Sequence, residues 1–356
     1  MAAEQELDIS VLSRLHMVSA FRALEPPDVV ISFARLQFYV ALGSLAEDLK
    51  WQGPYVERLL KKLIIEIESN GGLVLDEIYE YYASCMISVQ DDDADKGNSR
   101  LLKTISFLSP NESSGSDDLS YRKSMELEVK LRYSVNILEG DTGCSIWPSS
   151  LFLSEFILSF PELFANKCCF EVGSGVGLVG ICLSHVKASK VILSDGDLLT
   201  LANMKVNLDL NHLRTGDQKL GNPLHHDMVH CFCLPWESAS EDDIRRFAPD
   251  IILGADIIYD PTCLPHLVRV LVALLKHDRE FDSSQGNETS NGSVEGRVAY
   301  IASVIRNIDT FNCFLALTEQ ANLVITDLTE KTKVSNFLPY LRSYQRSTIR
   351  LFKIHL

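Results

Sequence analysis

Residues 168–177 read Cys168-Cys169-Phe170-Glu171-Val172-Gly173-Ser174-Gly175-Val176-Gly177. The first five are apolar except for Glu171, the pattern of a short strand buried on both faces. Glycines then fall on every second position, and GLVGICLSHV continues as a helix. Glycine lets the backbone turn sharply and approach a ligand where a Cβ would collide. Strand, glycine turn and helix in that order open a wound α/β sheet, and ligands sit at the carboxyl ends of such strands.

The same alternation continues downstream. KVILSD (190–195) reads as a second strand, DLLTLANMKVNLDLNHL as a long helix and HCFCLPW (230–236) as a third strand. DIILGAD (250–256) is a fourth strand, followed by a helix over Pro261–Lys276. VAYIASVI is a fifth, before a helix over Asp309–Gln320. ANLVITDL and STIRLFKIHL close the chain as two strands without a crossover helix between them. Repeated strand–helix units predict a mostly parallel sheet with helices on both faces, and the final pair predicts one antiparallel strand at the edge.

Upstream the period differs. In PYVERLLKKLIIEIES, Val56, Leu59, Leu60, Leu63, Ile64 and Ile67 keep helical spacing, with Glu57 and Lys61 as an exposed pair, until Gly71-Gly72 stops the helix. LDEIYEYYASCMISV follows as another helix, and Gln90–Ser99 reads as a charged linker. Met125, Leu127, Val129, Leu131 and Tyr133 then alternate with charged residues, a half-buried strand. LLKTISFLS is its expected hairpin partner across the polar stretch 111–118, and TGCSIWPSS leads into a helix over Leu151–Phe160. The reading is a helical N-terminal domain (1–90), a linker and hairpin (91–140) and an α/β domain (141–356).

Composition narrows the classes. The 356 residues carry 33 Lys+Arg against 48 Asp+Glu, a net charge of −15, with 46% hydrophobic residues. Duplex binding needs a clustered cationic face, so a nucleic-acid partner is not expected. The nine cysteines form no C-x-x-C pair, which favours reduced thiols over a disulfide framework or a metal site. The start MAAEQELDIS lacks the marks of a signal or transit peptide, and no apolar run reaches the roughly 18–20 residues of a membrane span. A cytosolic location is expected, so the sequons at Asn111, Asn287 and Asn291 read as chance matches, and 281–295 as a surface loop.

Several side chains bear on ligand chemistry. The G-x-G-x-G spacing of Gly173, Gly175 and Gly177 departs from the dinucleotide G-x-G-x-x-G, because position 178 is Leu. S-adenosylmethionine has no phosphate, and its cationic groups favour a carboxylate such as Glu171. A turn-only role for the glycines stays open. Asp195, 22 residues after Gly173, is placed to accept both ribose hydroxyls of either cofactor class, with Asp197 the better N-cap for the next helix. Asp256 and Tyr259 end the fourth strand beside the same cleft. Asp256 there suits a substrate-orienting acid or a helix cap before Pro261. Trp236 is placed to pack on an adenine ring and Trp147 to close over the cofactor, although aromatics are more often core.

The order TG-x-x-x-W, E-V-G-S-G-V-G, L-P-W-E and A-D-I-I-Y resembles the seven-strand S-adenosylmethionine-dependent protein lysine methyltransferases with a D-x-x-Y motif. ADIIYDPTCLPHLVRVL and YIASVIRNIDTF, with the helical extension, resemble the elongation factor 2 lysine methyltransferase branch. The resemblance implies a Rossmann-like methyltransferase sheet whose backbone at Gly173, Ser174, Gly175 and Gly177 contacts S-adenosylmethionine. It also implies Glu171 at the methionine amine, Asp195 at the ribose, and Trp147, Trp236 and Ala255 lining the pocket. Asp256 would orient the target lysine, with Tyr259 behind it. The implied partner is translation elongation factor 2, met by a monomer that uses no metal. Other protein, nucleic-acid or small-molecule acceptors, a nicotinamide oxidoreductase and a silent cofactor-binding scaffold are the alternatives. Against base methylation, D-I-I-Y stands where an N-P-P-Y type of motif would.

Overall fold

The computed structural model describes residues 13–34, 53–74, 76–91, 100–110, 125–135, 142–216, 228–276 and 296–356. The sequons, the 111–118 connection, the surface loop 281–295 and all but the first two residues of the Gln90–Ser99 linker lie outside the described residues. The chain packs as two units, Met1–Val129 with Asn336–Tyr344, and Lys130–Ser335 with Gln345–Leu356.

In the first unit, residues 13–22 are helical, followed by α1 (Pro27–Ala34), α2 (Gly53–Ser69) and α3 (Asp76–Asp91). α2 buries Val56, Leu59, Leu60, Leu63 and Ile64, the face its spacing predicts. It stops where Gly71 turns left-handed (φ 71°) and the Gly72 N–H reaches back 2.9 Å to the Ile67 carbonyl. β1 (Leu101–Leu108) pairs with β2 (Met125–Tyr133) in a two-stranded sheet. The returning segment is fixed by buried polar groups: the Tyr340 hydroxyl accepts the Ser106 N–H at 2.8 Å, and Glu25 accepts the Ser343 N–H at 3.0 Å.

The second unit contains β3 (Cys168–Val172), β4 (Lys190–Asp195), β5 (Arg214–Gly216), β6 (Met228–Cys233), β7 (Ile251–Ala255), β8 (Val298–Val304), β9 (Val324–Asp327) and β10 (Ile349–His355). They form one sheet in the order β5-β6-β4-β3-β7-β8-β10-β9. The seven strands expected from sequence are all present, and the three-residue β5 adds an eighth at one rim. β10 runs antiparallel to both β8 and β9, so the antiparallel strand lies one place in from the edge and β9 forms the edge itself. Strand order reverses direction at β3, which pairs in parallel with β4 on one side and β7 on the other. In open α/β sheets ligands bind outside the carboxyl ends of the strands at such a switch point, here the ends of β3, β4 and β7.

The longer helices of this unit are α4 (Pro148–Ser159), α5 (Leu178–His185), α6 (Leu198–Leu210), α7 (Leu264–Leu275) and α8 (Ile308–Gln320). α4 begins three residues before the expected Leu151, because Pro148 supplies a preset first turn. α7 begins later than Pro261, since Asp260 accepts the Thr262 N–H at 2.9 Å and holds a turn there. Leu264, Leu267, Leu271 and Leu274 of α7 are buried against β7 and β8, each worth about 1.5–3 kcal/mol. Arg269, which interrupts that apolar run, donates to the Trp236 carbonyl at 2.8 Å.

Three asparagines one helical turn apart on α6 and just beyond it grip the tail of β2. Asn211 accepts the Lys130 N–H (2.9 Å) and donates to the Lys130 carbonyl (2.8 Å). Asn207 does the same with Arg132, at 2.7 and 3.1 Å, and also donates to Val176 O. Asn203 donates to the Arg132 carbonyl at 2.9 Å.

Candidate active site

The glycine turn sits at the carboxyl end of β3, with Gly173, Gly175 and Gly177 all left-handed (φ 67°, 52° and 83°). At Gly175 the requirement is double: besides the backbone angle, a Cβ would lie 3.0 Å from the Gly143 carbonyl oxygen. The Thr142–Cys144 turn therefore rests directly on the glycine loop. Ser174 anchors that loop through its own atoms. Its Oγ accepts the Ser194 N–H at 3.0 Å and donates to the Glu171 carbonyl, and its N–H donates to the Ser194 carbonyl at 2.8 Å.

Two acids flank the loop. Asp195 ends β4 and accepts the Gly175 N–H at 3.1 Å and the Asp197 N–H at 3.2 Å. Burial pushes its carboxyl above the usual range, against the pull of these backbone donors. Asp197 caps α6, accepting from Leu199 N and Thr200 N, as its position predicts. Glu171 lies fully buried in mid-sheet, in register with Leu193 and Leu253. Burial raises its carboxyl well above its ordinary value, and among the described residues its Oε2 has no hydrogen-bond partner. An orphaned buried carboxyl oxygen is costly and is satisfied by a cationic ligand group. The residues present thus fit an amine-bearing cofactor that has no phosphate.

The remaining candidates divide. Trp236 belongs to the core cluster with Leu234, Ile257 and Ile258, and one ring atom lies 3.5 Å from where a Gly173 Cβ would stand. It supports the loop from below. Trp147 precedes α4 and donates its indole N–H to the Thr142 carbonyl at 3.0 Å, bracing the turn that covers Gly175. Ala255 ends β7, paired in register with Ala302.

Asp256 sits differently from a substrate-facing acid. Its backbone is left-handed (φ 55°) and its side chain only 3% exposed. Oδ1 accepts from the Val304 N–H (3.1 Å) and the Arg306 Nη1 (3.0 Å), while Oδ2 accepts from the Ser149 N–H (3.2 Å). Both oxygens are taken, by three donors from two segments distant in sequence. Nor does Asp256 cap α7. Tyr259, three residues on, is 61% exposed, so of the D-x-x-Y pair the phenol is the one offered to an incoming group.

Arg306 escapes a motif-based reading. It follows β8, pairs with Asp256, and lies with its guanidinium 5.1 Å from the centre of the Trp147 ring. Nothing in the spacing of VIRNID sets this arginine apart from a solvated surface residue. The asparagine repeat at 203, 207 and 211 was a visible signal, since side chains four apart share a helix face.

Comparison with known proteins bears on this arrangement. Residues 126–285 match the lysine methyltransferase family. Over 230 residues the chain is 35% identical to an uncharacterized protein of Dictyostelium discoideum, covering 60% of this chain and 59% of that one. Over 301 residues it is 26% identical to the human protein-lysine N-methyltransferase EEF2KMT, covering 83% and 79% of the two chains. Over 154 residues it is 29% identical to the calmodulin-lysine N-methyltransferase of Arabidopsis thaliana, covering 42% and 46%. The chain thus spans less than two thirds of the Dictyostelium and Arabidopsis proteins and about four fifths of the human one. The matched segment contains the glycine loop, Glu171, Asp195 and the D-x-x-Y pair, so over residues 126–285 this chain is similar to the lysine methyltransferase family.

Proposed function

We propose that this chain is a protein-lysine N-methyltransferase acting on a lysine of translation elongation factor 2, in the cytosol and as a monomer. The observation that carries the methyltransferase reading is the buried Glu171 with its unpartnered oxygen, set beneath three left-handed glycines within the family match. The elongation factor 2 assignment draws on the likeness to human EEF2KMT, which extends over most of this chain. In this reading residues 141–356 perform the transfer, and the helical residues 1–90 serve packing or partner docking. The likeness to a calmodulin-lysine methyltransferase keeps a different protein acceptor as the second reading.

S-adenosylmethionine, when bound, supplies an electrophilic methyl group on a sulfonium. Glu171 would satisfy its amine, Asp195 its ribose hydroxyls, and the glycine backbone would allow close approach. The acceptor lysine must arrive as the neutral amine, against an ordinary pKa of about 10.4. Partial desolvation at the Tyr259 side of the crevice lowers that value, and the Tyr259 hydroxyl can accept a hydrogen bond from the amine. What the protein contributes to rate is chiefly alignment of the amine with the methyl group. The net charge of −15 also favours encounter with lysine-rich surfaces at low salt.

The test is incubation of the purified chain with tritiated S-adenosylmethionine and a cytosolic extract lacking the endogenous enzyme. One labelled band of elongation factor 2 size, absent with Asp195→Ala, is the expected result. Label on another protein moves the acceptor, and label on RNA or small molecules overturns the lysine assignment.

A further inference from the structure

The corner where β7, β8 and α4 meet holds an arrangement that the lysine methyltransferase reading does not by itself require. Asp256 is almost wholly buried, yet its carboxylate is the common partner of Ser149 in the first turn of α4, Val304 at the end of β8, and Arg306 beyond it. Arg306 is 43% exposed and reaches two ways. Its Nη1 donates to Asp256 at 3.0 Å, and its guanidinium covers the Trp147 ring at 5.1 Å. Trp147 in turn holds the Thr142 carbonyl, in the turn whose Gly143 rests on Gly175. A planar cation is suited to both tasks, since it can donate in its plane while stacking through its face.

We propose that Arg306 is a positioning residue for methyl transfer. Through Asp256 it fixes the left-handed turn from which the chain runs on to Tyr259, and through Trp147 it fixes the segment lying over the glycine loop. The acceptor side and the cofactor side of the crevice are thereby held in one register by a single side chain that touches neither reacting atom. Asp256 is the buried anchor of this link and not a contact of the acceptor amine. The proposal rests on the methyltransferase reading for its function, but the physical link between Arg306 and Trp147 stands independently of it.

The experiment uses the full chain with Arg306→Gln and Arg306→Lys, read three ways. In protein labelled with fluorotryptophan, with Trp147→Phe assigning its signal, Arg306→Gln should shift the Trp147 resonance and leave that of Trp236 in place. By calorimetry, S-adenosylmethionine affinity should stay within about threefold of wild type, since neither Glu171 nor Asp195 is touched. In turnover on the acceptor, Arg306→Gln should lower kcat about 30-fold or more with KM little changed, and Arg306→Lys should recover part of kcat by restoring a cation beside Asp256. An unmoved Trp147 resonance, or turnover by Arg306→Gln within twofold of wild type, overturns the proposal. Equal loss of cofactor affinity and turnover overturns it too, placing Arg306 in the cofactor site. If wild type binds no S-adenosylmethionine, the methyltransferase reading fails, while the resonance still reports on the link.

Discussion

The Gly175 N–H donates to Asp195 Oδ2 at 3.1 Å, so the acid expected to receive a ribose also holds the glycine loop in shape. One carboxylate thus links the end of β4 to the turn after β3. Asp195→Ala removes both roles, and hydrogen bonds to charged groups are worth about 1.5–3 kcal/mol each. S-adenosylmethionine should bind ten- to several-hundredfold more weakly, as titration calorimetry would report. Unchanged affinity would place the ribose elsewhere.

At Gly175 itself, alanine must adopt a left-handed backbone, at about 1–2 kcal/mol, and press its methyl group on the Gly143 carbonyl. Gly175→Ala should lower stability by roughly that amount or more. It should also displace the Thr142–Cys144 turn and weaken cofactor binding. Urea unfolding beside calorimetry separates the two effects.

Glu171 makes the pH behaviour specific. Its folded-state carboxyl titrates well above 4.5, because burial penalises the charge, so the folded chain holds a proton that the unfolded chain has lost. Stability from this group is full below the unfolded value and falls as pH rises through the folded one. As pH rises above the ordinary carboxylate range, wild type should therefore lose stability relative to Glu171→Gln, measured by thermal unfolding. A cationic ligand amine favours the ionised form, so binding of S-adenosylmethionine should release a proton. Calorimetry in buffers of different ionisation heat would show it, and a buffer-independent heat would remove Glu171 from the amine site.

Asp256→Ala should destabilise the fold as well as impair turnover. It strands two backbone N–H groups and leaves Arg306 without its partner. Because Arg306 is partly exposed, the cost belongs below the 3–5 kcal/mol of a fully buried broken pair, at about 2–3 kcal/mol. A stability change under about 0.5 kcal/mol would contradict the hub described above.

Much of this was legible in residues 168–195 and 250–259. Strict period, glycine spacing and acids at strand ends identify the sheet, the glycine loop, Asp195 and the Asp197 cap without tertiary information. Asp256 was located by its place at a strand end, but its three hydrogen-bond donors were not legible. A carboxylate at a strand end looks alike whether it faces solvent or three donors distant in sequence, and no motif marks the two backbone N–H groups and the guanidinium that meet Asp256. Arg306 was hidden for the same reason. The place of β10 inside the sheet was invisible because two consecutive strands without a crossover helix fix an antiparallel pair but not which member lies outermost.

The asparagine grip on β2 has a geometric limit that its hydrogen bonds reveal. Four residues along a helix advance about 6.0 Å, while two residues along a strand advance about 6.7 Å. Two such scales laid side by side stay in step for only a few marks, as on a vernier. Asn211 meets Lys130 and Asn207 meets Arg132, each with both halves of its amide. The next mark would set Asn203 against Ser134, but Asn203 bonds back to Arg132, its Oδ1 finds no partner among the described residues, and the Ser134 N–H goes to Cys144 instead. Here the helix imitates a neighbouring strand for two rungs. At the third mark the Ser134 N–H is handed instead to the Cys144 carbonyl, at the turn that rests on Gly175.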